Sequence, residues 1–471
     1  MFEFRDFSVA AVREMCYHIV AVKLCSTDIK VYSHNMIERT RYLEGLIARK
    51  HNGMVKVITG VRRCGKSVLL TKLFRKHLLE SGVKAERIVD IALDKRKFAA
   101  LQDPDRLSEY IAARIRGRGR HYVFIDEIQM TRRKLKPGVD LKTILPEDLP
   151  FAYTTFYDVL NEFVGRDDVD VYVTGSNSKM LASDVATNFR GRGDEIHVMP
   201  LSFSEFASVH GSDPRAWEEY LTYGGMPQVV LERDVRRKER LLADLFAKIY
   251  LKDIVERNGY RDDYLLGKTV DVVSSAVGSL TNPHKLVLSM RSTLGVKTTD
   301  VTLKGYLDAL AASYLYSRVD RYDVKGRRHL DYPSKYYAVD TGLRNARLNF
   351  REFERAHLME NVIYNELVSR GYAVDVGVVE VWATENGKRV RRPHEIDFVV
   401  NDGSRRIYIQ ATFSITNEDQ KKRETLPLRK TGDFFRKIVV ADGYELPHQD
   451  ADGIVHMGVV PFLLDPKSVE G

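Results

Sequence analysis

Cysteine is scarce in this chain: Cys16, Cys25 and Cys64 stand alone, with no framework spacing and no CxxC pair. So sparse and odd a set argues for a reducing cytoplasm rather than a disulfide scaffold. The missing pair excludes a metal site built from cysteines. No run approaches the ~18 uninterrupted apolar residues of a membrane helix. The most apolar early stretch, FSVAAVREMCYHIVAV, contains Arg13, Glu14 and His18 and has no basic region before it, so it fails as a secretory signal. Internal repeats and low-complexity tracts are absent as well.

The composition is that of a soluble globular protein, with 44% hydrophobic and 30% charged residues. Its 471 residues allow about three ordinary domains. A net charge of +9 makes an acidic partner plausible, nucleic acid above all, although solvated surface lysines and arginines give the same balance. Residues 1–35 show no clear period, whereas Met36 opens MIERTRYLEGLIARK with Ile37, Tyr42, Leu43, Leu46 and Ile47 on one helical side. The first 35 residues therefore read as an upstream extension, with Met36 as the native start.

From 54 to 175 strands and helices alternate. MVKVIT, RIVDIAL, HYVFIDE and VDVYVTG are apolar almost throughout, and helical patterns separate them. Such strands belong in a parallel sheet buried on both faces, the α/β class. From about 200 the pattern is helical. A hairpin is expected around Lys325-Gly326, and from 357 one helix and several strands.

GVRRCGKS, residues 60–67, matches G-x-x-x-x-G-K-[ST] in full and lies between a strand and a helix. Gly60 and Gly65 let the backbone curl so that the N–H groups of Val61, Arg62, Arg63, Cys64 and Val68 can face phosphate oxygens. Lys66 places a charge between the β- and γ-phosphates of ATP, and the Ser67 hydroxyl ligates Mg²⁺. VFIDE ends a strand in two acids: Asp126 to hold the metal and Glu127 as the base that orients water. VTGSNS offers Asn177 or Ser176 as a polar sensor. Arg190 and Arg192 in FRGRGDE are candidates to neutralise developing charge, or else ordinary loop charges. Arg62 and Arg63 point either at nucleotide or at a neighbouring subunit. Cys64 reads as a tolerated small residue.

VITGVRRCGKSVLL, VFIDEIQ, VTGSNSKML, MPLSFSEF and YGGMPQVV together resemble the prokaryotic AAA-superfamily ATPases that carry a C-terminal domain of unknown function. The resemblance covers roughly 36–465. It implies a RecA-like ATPase core (36–232), a helical lid or linker (233–262), a winged-helix segment (263–348) and an α+β domain related to PD-(D/E)XK nucleases (349–471). It also implies ATP with Mg²⁺ at Lys66, Ser67, Asp126 and Glu127; a homo-oligomer, a hexameric ring for example, is expected on the reading in which Arg190 or Arg192 reaches a neighbour's nucleotide. In the segment 298–330, a helix pattern precedes a basic hairpin at Lys325, Arg327 and Arg328, a geometry that docks on DNA or simply spaces domains.

An active nuclease of that last fold needs an acid on a helix, an acid opening a strand, then Glu-x-Lys on the next strand, so that both side chains share one face. This chain offers Glu366, or Glu360 before it, then Asp397, then Gln410 and Thr412 at the critical pair. Threonine cannot replace an ammonium, and Lys421 and Lys422 lie too far along. The tail is therefore expected to be degenerate. Three readings follow: a cytoplasmic DNA-acting ATPase machine, a slow ATP switch read by a protein partner, and an ATP-controlled nuclease if Thr412 is compensated.

Overall fold

The computed structural model describes residues 37–175 and 193–470, apart from 212, 261–262, 296–297, 386–387, 404 and 415–417. They form two compact units. One comprises Glu38–Met199 with Ala312–Tyr314, the other Pro200–Ala311 with Leu315 onward.

The first unit is built on a five-stranded sheet of β1 (Val55–Thr59), β2 (Ile88–Ala92), β3 (His121–Asp126), β4 (Val169–Thr174) and β5 (Gly193–His197). Its order is β2-β3-β4-β1-β5, and every pairing is parallel. Every residue of β1, β3 and β4 is buried, as expected of a sheet covered on both faces. Helix α1 (Thr40–Ala48) precedes β1, and a second helix, α2, follows it as Lys66–Val68, a π-helical stretch Leu69–Phe74 and Arg75–Glu80. Helix α3 (Pro104–Arg114) starts where it does for a local reason. Asp103 accepts from the amides of Asp105 and Arg106, and Pro104 takes a position whose N–H has no helical partner.

One charged pair lies inside this apolar sheet. Lys56 is fully buried on β1 and bonds the carboxylate of Asp170 on β4. That carboxylate also accepts from the Tyr172 hydroxyl (2.8 Å) and the His51 amide (3.1 Å). With its lone pairs satisfied, the pair is tolerated; with one partner removed, a buried charge is stranded.

The second unit carries α5 (Asp263–Ser275), α6 (Pro283–Leu294) and α7 (Asp300–Ala312), then an eight-stranded mixed sheet. The unit's N-terminal segment includes α4 (Phe203–His210). The sheet strands used below are β6 (Tyr316–Asp323), β7 (Arg328–Ala338), β8 (Ala373–Glu385), β9 (Lys388–Asp402), β10 (Arg405–Thr412) and β11 (Arg436–Ala441). Helix α8 (Arg355–Ser369) packs on the sheet, and its buried face joins Phe203, Phe206 and Trp217 in one apolar core.

Two boundaries differ from the sequence reading. The core expected to run to 232 closes at Met199, because Phe203, Phe206, Trp217 and Tyr220 bury themselves against Leu358, Ile363 and Phe462 instead. The hairpin expected around Lys325-Gly326, within the segment assigned to a winged helix, is hydrogen-bonded into the tail's sheet, since β6 pairs in parallel with β8 (Arg321 opposite Val376, Asp323 opposite Val378). The division expected at 348 therefore cuts through a single sheet. Residues 1–35 lie outside the described residues.

The Lys56–Asp170 pair supports a stability prediction. Lys56→Met should cost about 3–5 kcal/mol, and Lys56→Met with Asp170→Asn should recover much of it. Denaturant unfolding of the three variants checks this, and a double variant as unstable as the two single costs added together would contradict it.

Candidate functional site

The site of the first unit is assembled at the carboxyl ends of the parallel strands, where this class of sheet holds ligands. β4 is inserted between β1 and β3, so its last residue, Thr174, stands between the loop leaving β1 and the acids leaving β3. Gly60 has φ +131° and Gly65 φ +105°, which side chains with a Cβ resist. At Gly60 a Cβ would lie 2.1 Å from the Val198 carbonyl, so only glycine fits there.

Lys66 is buried, and its ammonium donates to the carbonyls of Gly60 (2.8 Å) and Val61 (2.9 Å) within its own loop. The Ser67 hydroxyl donates to the Asp126 carboxylate at 2.9 Å. The Thr174 hydroxyl bonds the same carboxylate oxygen and accepts from the Glu127 amide at 3.1 Å. Glu127 occupies the left-handed region at φ 57°, and the Gln129 amide donates to its carboxylate. Burial raises the pKa of Glu127 and outweighs the opposing charges of Lys66 and Arg62. A raised carboxyl pKa suits a proton acceptor working near neutrality. His197 on β5 is pushed down to about 4 by burial, with Lys66 adding to the effect, and so stays neutral beside Thr59.

Val61 and Cys64 are buried, Arg62 is half-buried, and Arg63 and Val68 are exposed. The Cys64 thiol faces the Val198 carbonyl at 3.2 Å, which gives it the packing role expected. Ser176, Asn177, Arg190 and Arg192 lie outside the described residues.

Sequence reading missed two contributors. Thr174 was overlooked because its role follows from strand order. Arg39, which is buried, donates to the carbonyls of Cys64 (2.8 Å) and Met199 (2.7 Å) and so braces the loop from behind. It lies far from its partners along the chain, and only its position beside the apolar face of α1 marked it.

The tail holds a second constellation. Lys335 on β7 is buried, and its ammonium meets three carboxylates: Glu360 on α8 at 2.7 Å, Glu395 on β9 at 2.6 Å and Asp397 at 3.5 Å. The Tyr337 hydroxyl donates to Glu360 at 2.6 Å, and the Ala411 amide donates to Asp397 at 2.9 Å. Burial raises the Asp397 pKa, with the Glu360 charge adding to it. The three carboxylates hold Lys335 in its charged form against its burial. The register between β8 and β9 shifts at Asp375 and Gly377, so Ile396 packs with Val399 and Tyr408 in one apolar cluster while Phe398 packs with Ile409 in the other.

The acid expected at Glu366 is not in this cluster. Glu366 pairs with Arg370 at 2.8 Å, whereas Glu360, the earlier alternative, takes the place. Gln410 has a buried carbonyl oxygen without a hydrogen-bond partner among the described residues, and the Thr412 hydroxyl donates to the Ser414 carbonyl at 3.3 Å. The ammonium of Lys335 is already engaged by three carboxylates and makes no hydrogen bond to Gln410 or Thr412. Among the described residues no group of three or more His, Cys, Asp or Glu has metal-holding geometry. Lys325, Arg327 and Arg328 are exposed at the β6–β7 hairpin, where Arg328 lies 3.5 Å from Asp323.

Residues 52–207 match the family model of an AAA domain, and 214–354 and 355–461 match two domains of unknown function. Together with the loop and acids described above, this makes the chain an ATPase of the AAA, P-loop type. An uncharacterized protein of Haemophilus influenzae is 31% identical over 439 residues, covering 92% of this chain and 100% of that protein. The chain belongs to the family of that protein. An uncharacterized protein of Methanocaldococcus jannaschii is 25% identical over 390 residues, covering 79% of this chain and 77% of its own length. Among solved structures, a Walker-type ATPase of Pyrococcus abyssi covers 66% of this chain and 96% of its own at 14% identity, with a TM-score of 0.44. No helix among the described residues is long and apolar enough to cross a membrane.

Glu127→Gln should lower kcat at least about 100-fold while nucleotide affinity stays within a few-fold. Thr174→Val, which removes the shared support of Asp126 and Glu127, should cost about 10–100-fold. Steady-state turnover beside binding of a fluorescent ATP analogue separates these outcomes. Unchanged kcat in both variants would remove Glu127 from the proposed role.

Proposed function

We propose that the protein is a Mg²⁺-dependent ATPase that acts on DNA as a homo-oligomer, with a nuclease-derived tail that packs or binds rather than cuts. The observation that carries the ATPase half is the convergence of Ser67, Asp126 and Thr174 within hydrogen-bond distance beside a buried Lys66. The donor set fits the implied cofactor, because a hydroxyl and a carboxylate are the hard oxygen ligands Mg²⁺ prefers. Ser67 and Asp126 would hold the ion, which supplies charge neutralisation between phosphates. Lys66 exchanges its two loop carbonyls for phosphate oxygens, so its burial costs nothing new on binding. Glu127 takes the proton of the attacking water, and Gln129 and the left-handed backbone fix where that carboxylate points.

The DNA half rests on the net charge of +9 and on the exposed cations of the β6–β7 hairpin. The non-cutting tail rests on Lys335. Its ammonium already supplies the positive charge that a metal would bring to Glu360, Glu395 and Asp397.

Two measurements test the halves. ATP hydrolysis at fixed salt should rise when DNA is added and vanish in Lys66→Ala. Slow hydrolysis indifferent to DNA, without salt-sensitive binding, would favour the nucleotide switch instead. For the tail, Mn²⁺ should raise the melting temperature of Lys335→Met but not of the parent chain. Metal-dependent DNA cutting by the parent that disappears in Asp397→Ala would overturn the non-cutting assignment.

A further inference from the structure

The tail's sheet has two chemically different ends. Glu395, Asp397, Gln410 and Thr412 lie toward the end where β10 finishes. Seven residues back along β10, about 20 Å away at the usual strand rise, lies Arg405. There a cleft of about 800 Å³ opens among Arg405, Arg429, Phe434, Arg436 and Lys437. A second cleft of about 530 Å³ adjoins it, sharing Arg406 and Phe435 and adding Lys325 and Arg327 from the hairpin.

The linings of the two clefts hold seven lysines and arginines against four carboxylates, and the carboxylates are partly spent. Asp452 pairs with Arg429 at 2.6 Å, and Asp433 accepts from the Tyr408 hydroxyl at 2.6 Å. Arg405 and Arg436 have no carboxylate at ion-pair distance among the described residues.

The aromatic groups are placed in two ways. The Arg406 guanidinium lies 4.9 Å from the Tyr322 ring and 5.7 Å from the Phe435 ring, and bonds the Tyr322 hydroxyl at 3.1 Å, so its plane is set in advance. Phe434 is the opposite case. It is 105% exposed, at the rim, with every apolar atom of its ring in water. A lone exposed phenylalanine needs no explanation, but one standing among unpaired arginines does.

We infer that these joined clefts bind single-stranded nucleic acid. The arginines and lysines follow the phosphates, and Phe434 stacks on an unpaired base. Unpaired bases offer faces to an exposed ring, and cation-lined grooves with aromatic platforms bind them with little sequence preference. Paired bases in a duplex keep those faces stacked, and an acidic peptide has none to offer. The inference rests on the proposed DNA role and specifies it: the hairpin cations Lys325 and Arg327 act with Arg406 and Phe435 as one surface, and that surface takes an unpaired strand.

The test uses the full chain and fluorescence anisotropy at two stated salt concentrations. The probes are a labelled oligothymidylate, a duplex of the same length, and polyglutamate as competitor. Binding should favour the single strand. Phe434→Ala should weaken it about tenfold without changing the salt slope, whereas Arg405→Glu with Arg436→Glu should weaken it and flatten the slope. Arg405 and Phe434 are exposed, and because Arg436 is half-buried a melting curve of the double variant beside the parent chain separates lost binding from lost folding. Equal affinity for duplex, or single-strand binding untouched by Phe434→Ala, overturns the inference. Displacement by polyglutamate as effective as by unlabelled oligonucleotide would reassign the surface to an acidic peptide. ATPase turnover on the same samples keeps the two ideas apart. Stimulation by DNA that survives both variants leaves the DNA-acting ATPase standing and removes this surface. Absence of both binding and stimulation in the parent chain removes the DNA role itself.

Discussion

The catalytic half of this molecule depends on a strand insertion. β4 lies between β1 and β3, so a hydroxyl on its last residue can touch what both neighbours deliver. Thr174 bonds the Asp126 carboxylate and receives the Glu127 amide, while Ser67 approaches the same carboxylate from the loop after β1. Were β1 and β3 adjacent, the serine and the acids would need no intermediary, and the position that Thr174 fills would not exist. Because the sheet is buried on both faces, its register cannot slip without exposing apolar side chains. The geometry of Ser67, Asp126 and Thr174 is therefore enforced by the core and not by the loop alone.

Two buried charges, one in each unit, are surrounded by several partners. Asp170 takes Lys56, Tyr172 and an amide. Lys335 takes three carboxylates, and Tyr337 and an amide take up part of what remains on them. The two arrangements differ in what could replace them. The first has one acid and one base, so a neutral pair can substitute. The second has more negative than positive partners, and burial accordingly pushes Asp397 toward its protonated form.

What was legible in the sequence divides along the range of the interactions. GVRRCGKS and VFIDE were readable because their chemistry is set by neighbours in the chain: a glycine that must adopt positive φ, or an acid that ends an apolar run. The parallel sheet was readable for the same reason, from the apolar continuity of its strands. Thr174, Arg39 and Lys335 were not, since each acts through partners brought near by strand pairing or by an entering helix. The choice between Glu360 and Glu366 turned on helix rotation. Six residues apart, they sit on different sides of α8, and only the contacts of Lys335 and Arg370 show which side meets the sheet. The boundary at Met199 escaped notice because helices after it look alike whichever core they pack on.

The two ends of the tail's sheet are held by different constraints. Removing Lys335 strands its three carboxylates in a low-dielectric interior, at a cost of several kcal/mol. The cluster is thus held in place by its own members and does not need a reaction to maintain it. The opposite end is under no such constraint. Arg405 and Phe434 stand in water, where a substitution changes stability little. The composition of that end, cationic with an exposed aromatic ring, matches the chemistry of an unpaired nucleic-acid strand.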